Sequence, residues 1–149
     1  MALEKRISEL TPRLGAIKAT DLMVISEQLE SGYETKSVTG LQIKPYKTYL
    51  ANISQTSTSA PTVNYSYSEL TSTITWAYIS TGIYEATLST NELTTNKTFL
   101  QISLGGGSIG FYTIFRTTTS KFRVITYNSS GVVADGILND SSIEIKIIK

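Results

Sequence analysis

The chain has 149 residues, enough for one domain of ordinary size or a domain of about 100 residues with an appendage, and too few for two comparable domains. Its 13 basic and 12 acidic residues nearly cancel without clustering, so the basic stripe of a nucleic-acid binder is missing and no nucleic-acid partner is expected. With no cysteine and no histidine, the chain has no disulfides, thiolate nucleophiles, imidazole bases or usual zinc ligands. The opening MALEKRISEL is charged where a leader needs an apolar core, and no apolar run is long enough to span a bilayer, so no membrane insertion is expected. There are 22 threonines, 19 serines and nine tyrosines, with long runs that lack helix formers. Threonine and tyrosine suit pleated strands and serine suits turns, which predicts an all-β body.

Residues 1–45 differ in texture from the rest. Ile7, Leu10, Leu14, Ile17 and Leu22 are spaced irregularly across Pro12 and Gly15, which argues against one continuous helix. Leu22 to Ser26 reads as a strand, Ser31-Gly32 as a turn and Tyr33 to Val38 as a return strand. That is too little apolar surface for an independent core, so the segment is expected to order by packing on another copy or another protein; a flexible leader is the alternative. Lys44-Pro45 is the expected boundary, because proline restricts the residue before it.

Beyond the boundary, residues 46–54 read as a strand with Tyr49, Ala51 and Ile53 on one face, and QTSTSAPT as a polar loop. Val63, Tyr65 and Tyr67 are expected to line one face of the next strand. The most informative stretch is TITWAYISTGIYEATL, residues 73–88. Ile74, Trp76 and Tyr78 alternate with smaller residues, Ser80 to Gly82 supply a turn, and Tyr84, Ala86 and Leu88 resume the alternation. This is a β-hairpin that needs a second layer over Trp76, and so predicts a β-sandwich. Tyr65, Tyr67 and Trp76 are also candidate glycan-stacking residues, since flat rings pack on the apolar faces of sugars; core or intersubunit packing is the commoner fate of such rings.

Farther on, Leu100, Ile102 and Leu104 fall on one side of a strand and Phe99, Gln101 and Ser103 on the other. Gly105, Gly107 and Gly110 satisfy GxGxxG, but the FYTIFRTTT that follows reads as a strand and not as the helix a dinucleotide site requires. No cofactor is expected. Phe111 to Arg116 and Lys121 to Tyr127 form a further hairpin, in which Arg116, Lys121 and Arg123 are the densest basic group, explained most simply as edge-strand charges that discourage sheet pairing. Val132-Val133 reads as a short strand, and Ser142 to Ile148 as the last one, with Ile143, Ile145 and Ile147 inward and Glu144 and Lys146 outward. Asp135, Asn139 and Asp140 are oxygen-rich but lack the EF-hand spacing, so a turn is expected there and no metal site. No pair among Glu69, Glu85, Glu92, Asp135, Asp140 and Glu144 is marked as the two carboxylates of a glycosidase, so no catalytic residue is assigned and the chain is read as non-enzymatic.

Two sets of residues carry a family resemblance. Ile7-Ser8-Glu9-Leu10-Thr11-Pro12, then Thr20-Asp21-Leu22 with Val24-Ile25, then Gly32, Glu34-Thr35-Lys36, Val38-Thr39 and Gln42-Ile43, occur in an order that resembles the N-terminal attachment segment of tailed-bacteriophage fibre and appendage proteins. Tyr49-Leu50-Ala51, Ser59-Ala60-Pro61, Trp76, Thr81-Gly82-Ile83-Tyr84, Asp135 to Asn139 and Ile143-Glu144-Ile145 resemble a small β-domain of structural proteins from phages of gut Bacteroidetes, including crAss-like ones. The resemblance implies a short N-terminal virion-attachment segment, 1–45, and an antiparallel β-sandwich distal domain, 46–149, of jelly-roll or Ig-like type. It further implies attachment through Ile7, Leu10, Pro12, Asp21, Leu22, Val24, Thr35, Lys36 and Val38, and partners that are capsid or tail proteins and other copies of itself in a homotrimer. The expected role is a head fibre or capsid decoration on the virion, made in the host cytoplasm. A tail adaptor or receptor-binding tail fibre, and a carbohydrate-binding module facing a host-surface glycan, are the alternatives.

Overall fold

The computed structural model describes residues 22–29 and 32–39 as backbone strands, and residues 44–107 and 109–149 in full. The chain divides between Lys44 and Pro45 into two units. In the first, β1 (Leu22–Leu29) and β2 (Gly32–Thr39) pair antiparallel, in a register running from Leu22 opposite Thr39 to Leu29 opposite Gly32. Both strands run further than the apolar pattern indicated. Glu27, Gln28 and Leu29 are polar or irregular in sequence, yet the backbone ladder continues through them, because ladder hydrogen bonds do not depend on the side chain. Gly32 opens β2 instead of belonging to a turn.

The second unit holds eight strands and, among the described residues, no helix: β3 (Tyr46–Ser54), β4 (Thr62–Ser68), β5 (Ile74–Ser80), β6 (Ile83–Leu88), β7 (Thr98–Ser103), β8 (Gly110–Arg116), β9 (Lys121–Asn128) and β10 (Ser141–Ile148). They form two antiparallel four-stranded sheets, ordered β4-β3-β10-β7 and β5-β6-β9-β8. The period-2 patterns decide which side of each strand is buried. Tyr49, Ala51, Ile53, Ile102, Ile143, Ile145 and Ile147 face inward from the first sheet, and Tyr84, Ala86, Leu88, Phe122 and Val124 from the second. These belong to one apolar core, so the unit is a β-sandwich. Leu70, Leu93 and Leu138 close it from the connections. Fully buried side chains of this size each contribute roughly 1.5–3 kcal/mol relative to exposure.

Three polar nodes tie the connections to this core. The Glu92 carboxylate accepts from the Ser72 N–H at 2.7 Å, the Ser72 hydroxyl at 2.6 Å, the Thr71 hydroxyl at 2.9 Å and the Lys47 ammonium at 3.1 Å. Burial by itself would raise this carboxyl, but the hydrogen bonds from Ser72, Thr71 and Lys47 outweigh it and hold the pKa down at about 2. Asp135 accepts from the Gly82 N–H at 2.6 Å, the Tyr84 hydroxyl at 2.8 Å and the Tyr78 hydroxyl at 3.3 Å. Burial first, and Asp135 second, push the Tyr84 hydroxyl above its ordinary value. Gln55, 1% exposed, accepts from the Gly136 N–H at 2.6 Å and donates to the Ser57 and Ser59 carbonyls. Asp135, expected only as a turn residue, and Glu92 are thus structural anchors.

Two glycine sites explain themselves by close approach. Gly82 turns the β5–β6 hairpin at a φ of 63°, and an added Cβ would lie 2.7 Å from the Val133 side chain and 2.8 Å from the Ala134 nitrogen and the Thr126 oxygen. In GGGSIG, which joins β7 to β8, a Cβ on Gly105 would sit 1.8 Å from the Asp140 carbonyl oxygen, and one on Gly110 2.3 Å from that of Tyr127. Tight backbone packing therefore accounts for Gly105 and Gly110, and a left-handed φ of 70° for Gly107.

Three sequence expectations are corrected. Val63 does not share a side with Tyr65 and Tyr67: the β3–β4 register shifts between Asn52 and Ile53, so Val63 stands opposite the inward-facing Ile53. One extra residue reverses the alternation. Val132-Val133 forms no strand, only a single bridge from Val133 to Tyr127. Lys121 and Arg123 lie on β9, an inner strand, where both bind Glu85, so they are cross-strand partners and not edge charges; Arg116, on the edge strand β8, donates to the Leu93 carbonyl and the Thr95 hydroxyl.

Candidate functional site

Residues that face away from the core follow from the same alternation. On the first sheet, the registers align two rows across four strands: Tyr67, Leu50, Glu144 and Gln101, and beside it Tyr65, Asn52, Ser142 and Ser103. At roughly 4.8 Å between strands and 3.4 Å per residue, each row spans about 14 Å and the two rows stand about 7 Å apart. Between them lies an open cleft of about 430 Å³, lined by Leu50, Asn52, Tyr65, Gln101, Ser142 and Glu144 among others.

The cleft combines an exposed ring with uncommitted polar groups. Tyr65 is 74% exposed on the edge strand β4, and Leu50 offers an apolar floor. The Gln101 amide and the Ser103 and Ser142 hydroxyls make no hydrogen bond to other described residues, whereas Asn52 is held by Asn64 at 2.7 Å and Asp140 at 2.8 Å. Glu144 receives Lys146 on one carboxylate oxygen at 2.9 Å, and the other has no hydrogen-bond partner among the described residues. That hydrogen bond raises the Lys146 ammonium above its ordinary value. Tyr67, also on this side, donates its hydroxyl to Glu69 at 3.1 Å.

The outer face of the second sheet is built differently. Phe111 pairs with Tyr127, Thr113 with Ile125 and then Ile83, and Phe115 with Arg123 and then Glu85. Phe111, Phe115 and Ile79 are exposed, as are Val132 and Val133 beyond the strand ends. The charges within this apolar field are spent on one another: Glu85 takes Lys121 at 2.7 Å and Arg123 at 2.8 Å on separate oxygens. Those hydrogen bonds, Lys121 first, hold the Glu85 carboxyl below its ordinary value.

Of the ring residues singled out in the sequence, Tyr65 and Tyr67 share the outer side of the first sheet. Trp76 does not join them: it lies on β5 of the second sheet, half-buried against the core, edge-on to Phe122 at 5.5 Å between centroids. Of the attachment residues, Leu22 and Val24 lie on β1, with Thr39 and Ser37 opposite; Thr35, Lys36 and Val38 lie on β2, with Ser26, Ile25 and Met23 opposite. Ile7, Leu10, Pro12 and Asp21 lie outside the described residues. The sequence reading missed the Gln101–Glu144–Ser142 group, although it set Glu144 outward and Gln101 and Ser103 together on one side of their strand. What it lacked was the order β3-β10-β7, which makes these residues neighbours.

Comparison with known proteins adds no relative: no family model, curated protein or solved structure matches the chain. The functional reading therefore rests on the residues themselves. Among the described residues no group of three or more acidic side chains is placed to hold a metal ion, and no helix is long and apolar enough to cross a membrane.

Proposed function

We propose that this chain is a bacteriophage virion structural protein, a projecting head fibre or capsid-decorating appendage anchored by its N-terminal unit. The observation that carries the reading is the contrast across Lys44-Pro45. The motif series from Ile7 to Ile43, which resembles phage attachment segments, falls wholly in the first unit, whose described part is one two-stranded hairpin, and everything after it folds around its own core. A lone hairpin is marginal in water and gains stability by docking on a larger surface. A sandwich with its own core needs no such help, which suits it to be the displayed part.

The reading includes self-association into a homotrimer, with the apolar outer face of the β5-β6-β9-β8 sheet as the surface that supports it. An exposed field of Phe111, Phe115 and Ile79, whose charges are already joined to one another at Glu85, suits burial against an equivalent field. The partners of the first unit are capsid or tail proteins, and the protein reaches the particle from the host cytoplasm.

The test is immunogold labelling of particles purified from an infected culture of the phage that encodes the chain, with antibody raised against the sandwich, alongside light scattering of the purified full chain. Label on the capsid and a trimeric mass are the expected results. Label at the tail transfers the protein to the adaptor or receptor-binding fibre reading. Particles free of the chain overturn the proposal.

A further inference from the structure

We infer that the cleft on the outer face of the β4-β3-β10-β7 sheet binds a neutral saccharide, with Tyr65 as the stacking platform and Gln101, Ser142 and the free oxygen of Glu144 as hydrogen-bonding groups. Saccharide binding is a property beyond virion placement, and either can hold without the other.

Three features select the ligand class. A sugar ring presents an apolar face of C–H groups rimmed by hydroxyls, so its receptor needs a flat apolar surface next to dense short polar groups. Tyr65 and Leu50 supply the first, in adjacent rows about 7 Å apart, and Gln101, Ser103, Ser142 and Glu144 supply the second on the two strands beyond. The amide of Gln101 both donates and accepts, the hydroxyls do the same, and the Glu144 carboxylate only accepts. This set matches hydroxyl groups, which can play either part.

Charge then narrows the choice. The carboxylate on the cleft floor repels phosphate, sulfate and uronate groups, and the only cation on its own strand nearby, Lys146, is already joined to Glu144 and lies 5.7 Å from the centre of the Tyr46 ring. A single carboxylate with one bound lysine gives little to hold a cationic ligand. The open shape, about 430 Å³ along rows about 14 Å long, fits two linked rings laid across the strands better than one enclosed ring.

The decisive experiment applies the full chain to a glycan array carrying neutral hexose, N-acetylhexosamine and deoxyhexose oligosaccharides beside sialylated, sulfated and uronate-containing ones, followed by titration calorimetry with the neutral glycan bound most strongly. Expected is binding confined to neutral members, weakened about tenfold or more by Tyr65→Ala and by Gln101→Ala, and retained by Tyr65→Trp, which keeps a ring in place. Because Tyr65 is 74% exposed, its truncation leaves the core intact, and an unchanged melting temperature checks that. Absence of binding to every neutral glycan, preference for the anionic set, or affinity indifferent to Tyr65→Ala would each overturn the inference.

Discussion

On the outer face of the first sheet, Tyr65 and Leu50 stand beside an amide, two hydroxyls and a carboxylate oxygen that no other described residue uses; on that of the second, Phe111, Phe115 and Ile79 surround a carboxylate whose two oxygens are both taken by Lys121 and Arg123. Both faces are similarly rich in large apolar side chains, so hydrophobicity does not distinguish them. The state of the polar groups does. Free donors and acceptors next to a ring favour a small hydroxylated ligand that can satisfy them, whereas charges already joined in ion pairs within an apolar field can be covered by another protein surface at a lower desolvation cost than isolated ones.

The largest expected effect comes from loosening the frame beneath both faces at once. Glu92 joins Lys47 of β3, in the first sheet, to Thr71 and Ser72, which lead into β5 of the second. Glu92→Ala strands the Ser72 N–H and frees the Lys47 ammonium, and is expected to cost about 3 kcal/mol, read as a fall in the urea midpoint and as a melting temperature lower by about 15 °C. The acid behaviour follows with a definite sign. The folded pKa, about 2, lies below the ordinary 4.5, so the stabilisation is fully present above pH 4.5 and is lost as the pH falls from there toward 2. In the Glu92→Gln variant this part of the acid transition is expected to vanish.

The next effect separates the faces. Phe111→Ser combined with Phe115→Ser removes the exposed rings of the second sheet without touching the core, since Tyr112 and Ile114 point inward between them. The expected outcome is a light-scattering mass that falls to the monomer while saccharide binding at the first sheet persists. A trimer that survives both substitutions places its interface elsewhere.

How much of this was legible in advance can be traced residue by residue. The alternation in residues 73–88 indicated a hairpin with Trp76 inward and a turn at Gly82, and the final strand placed Ile143, Ile145 and Ile147 in the core, because burial on one side of a sheet writes a period of 2 into the sequence. Val63 escaped because one inserted residue in β4 reverses the alternation without any local signal at that position. The cleft escaped for a different reason: Tyr65, Glu144 and Gln101 lie on β4, β10 and β7, and their adjacency exists only once β10 has inserted between β3 and β7. The pairing of Glu85 with Lys121 and Arg123 was hidden likewise, since β6 and β9 are neighbours separated by two other strands in the chain.

A smaller effect sharpens the description of the second face. Glu85→Gln leaves Lys121 and Arg123 facing each other's charge, and because both partners are more than a third exposed, the cost in fold stability is expected to stay within about 1 kcal/mol. Its larger consequence falls on association, because two uncompensated cations on a surface that meets its own copy repel across the interface. Weaker assembly at low salt, restored as ionic strength rises, is the expected signature in sedimentation velocity. Assembly indifferent to salt would mean that these charges do not lie in the contact.

The smallest effect concerns which tyrosine of the first sheet acts on a ligand. Tyr67 stands opposite Leu50 and Tyr65 opposite Asn52, one row apart on the same strand, yet only Tyr65 lines the cleft. The Tyr67 hydroxyl is held by Glu69, which also accepts from the Thr48 N–H at 2.8 Å, so this ring is part of the clamp that fixes the end of β4. Tyr67→Phe removes the exposed hydroxyl that donates to Glu69 and is expected to change stability by no more than about 0.5 kcal/mol. Its saccharide affinity should match that of the parent chain within about twofold in the same calorimetric titration. Should Tyr67→Phe weaken binding as much as Tyr65→Ala does, the ligand lies along the Tyr67–Leu50 row, and the hydroxyl, not the ring face, makes the contact.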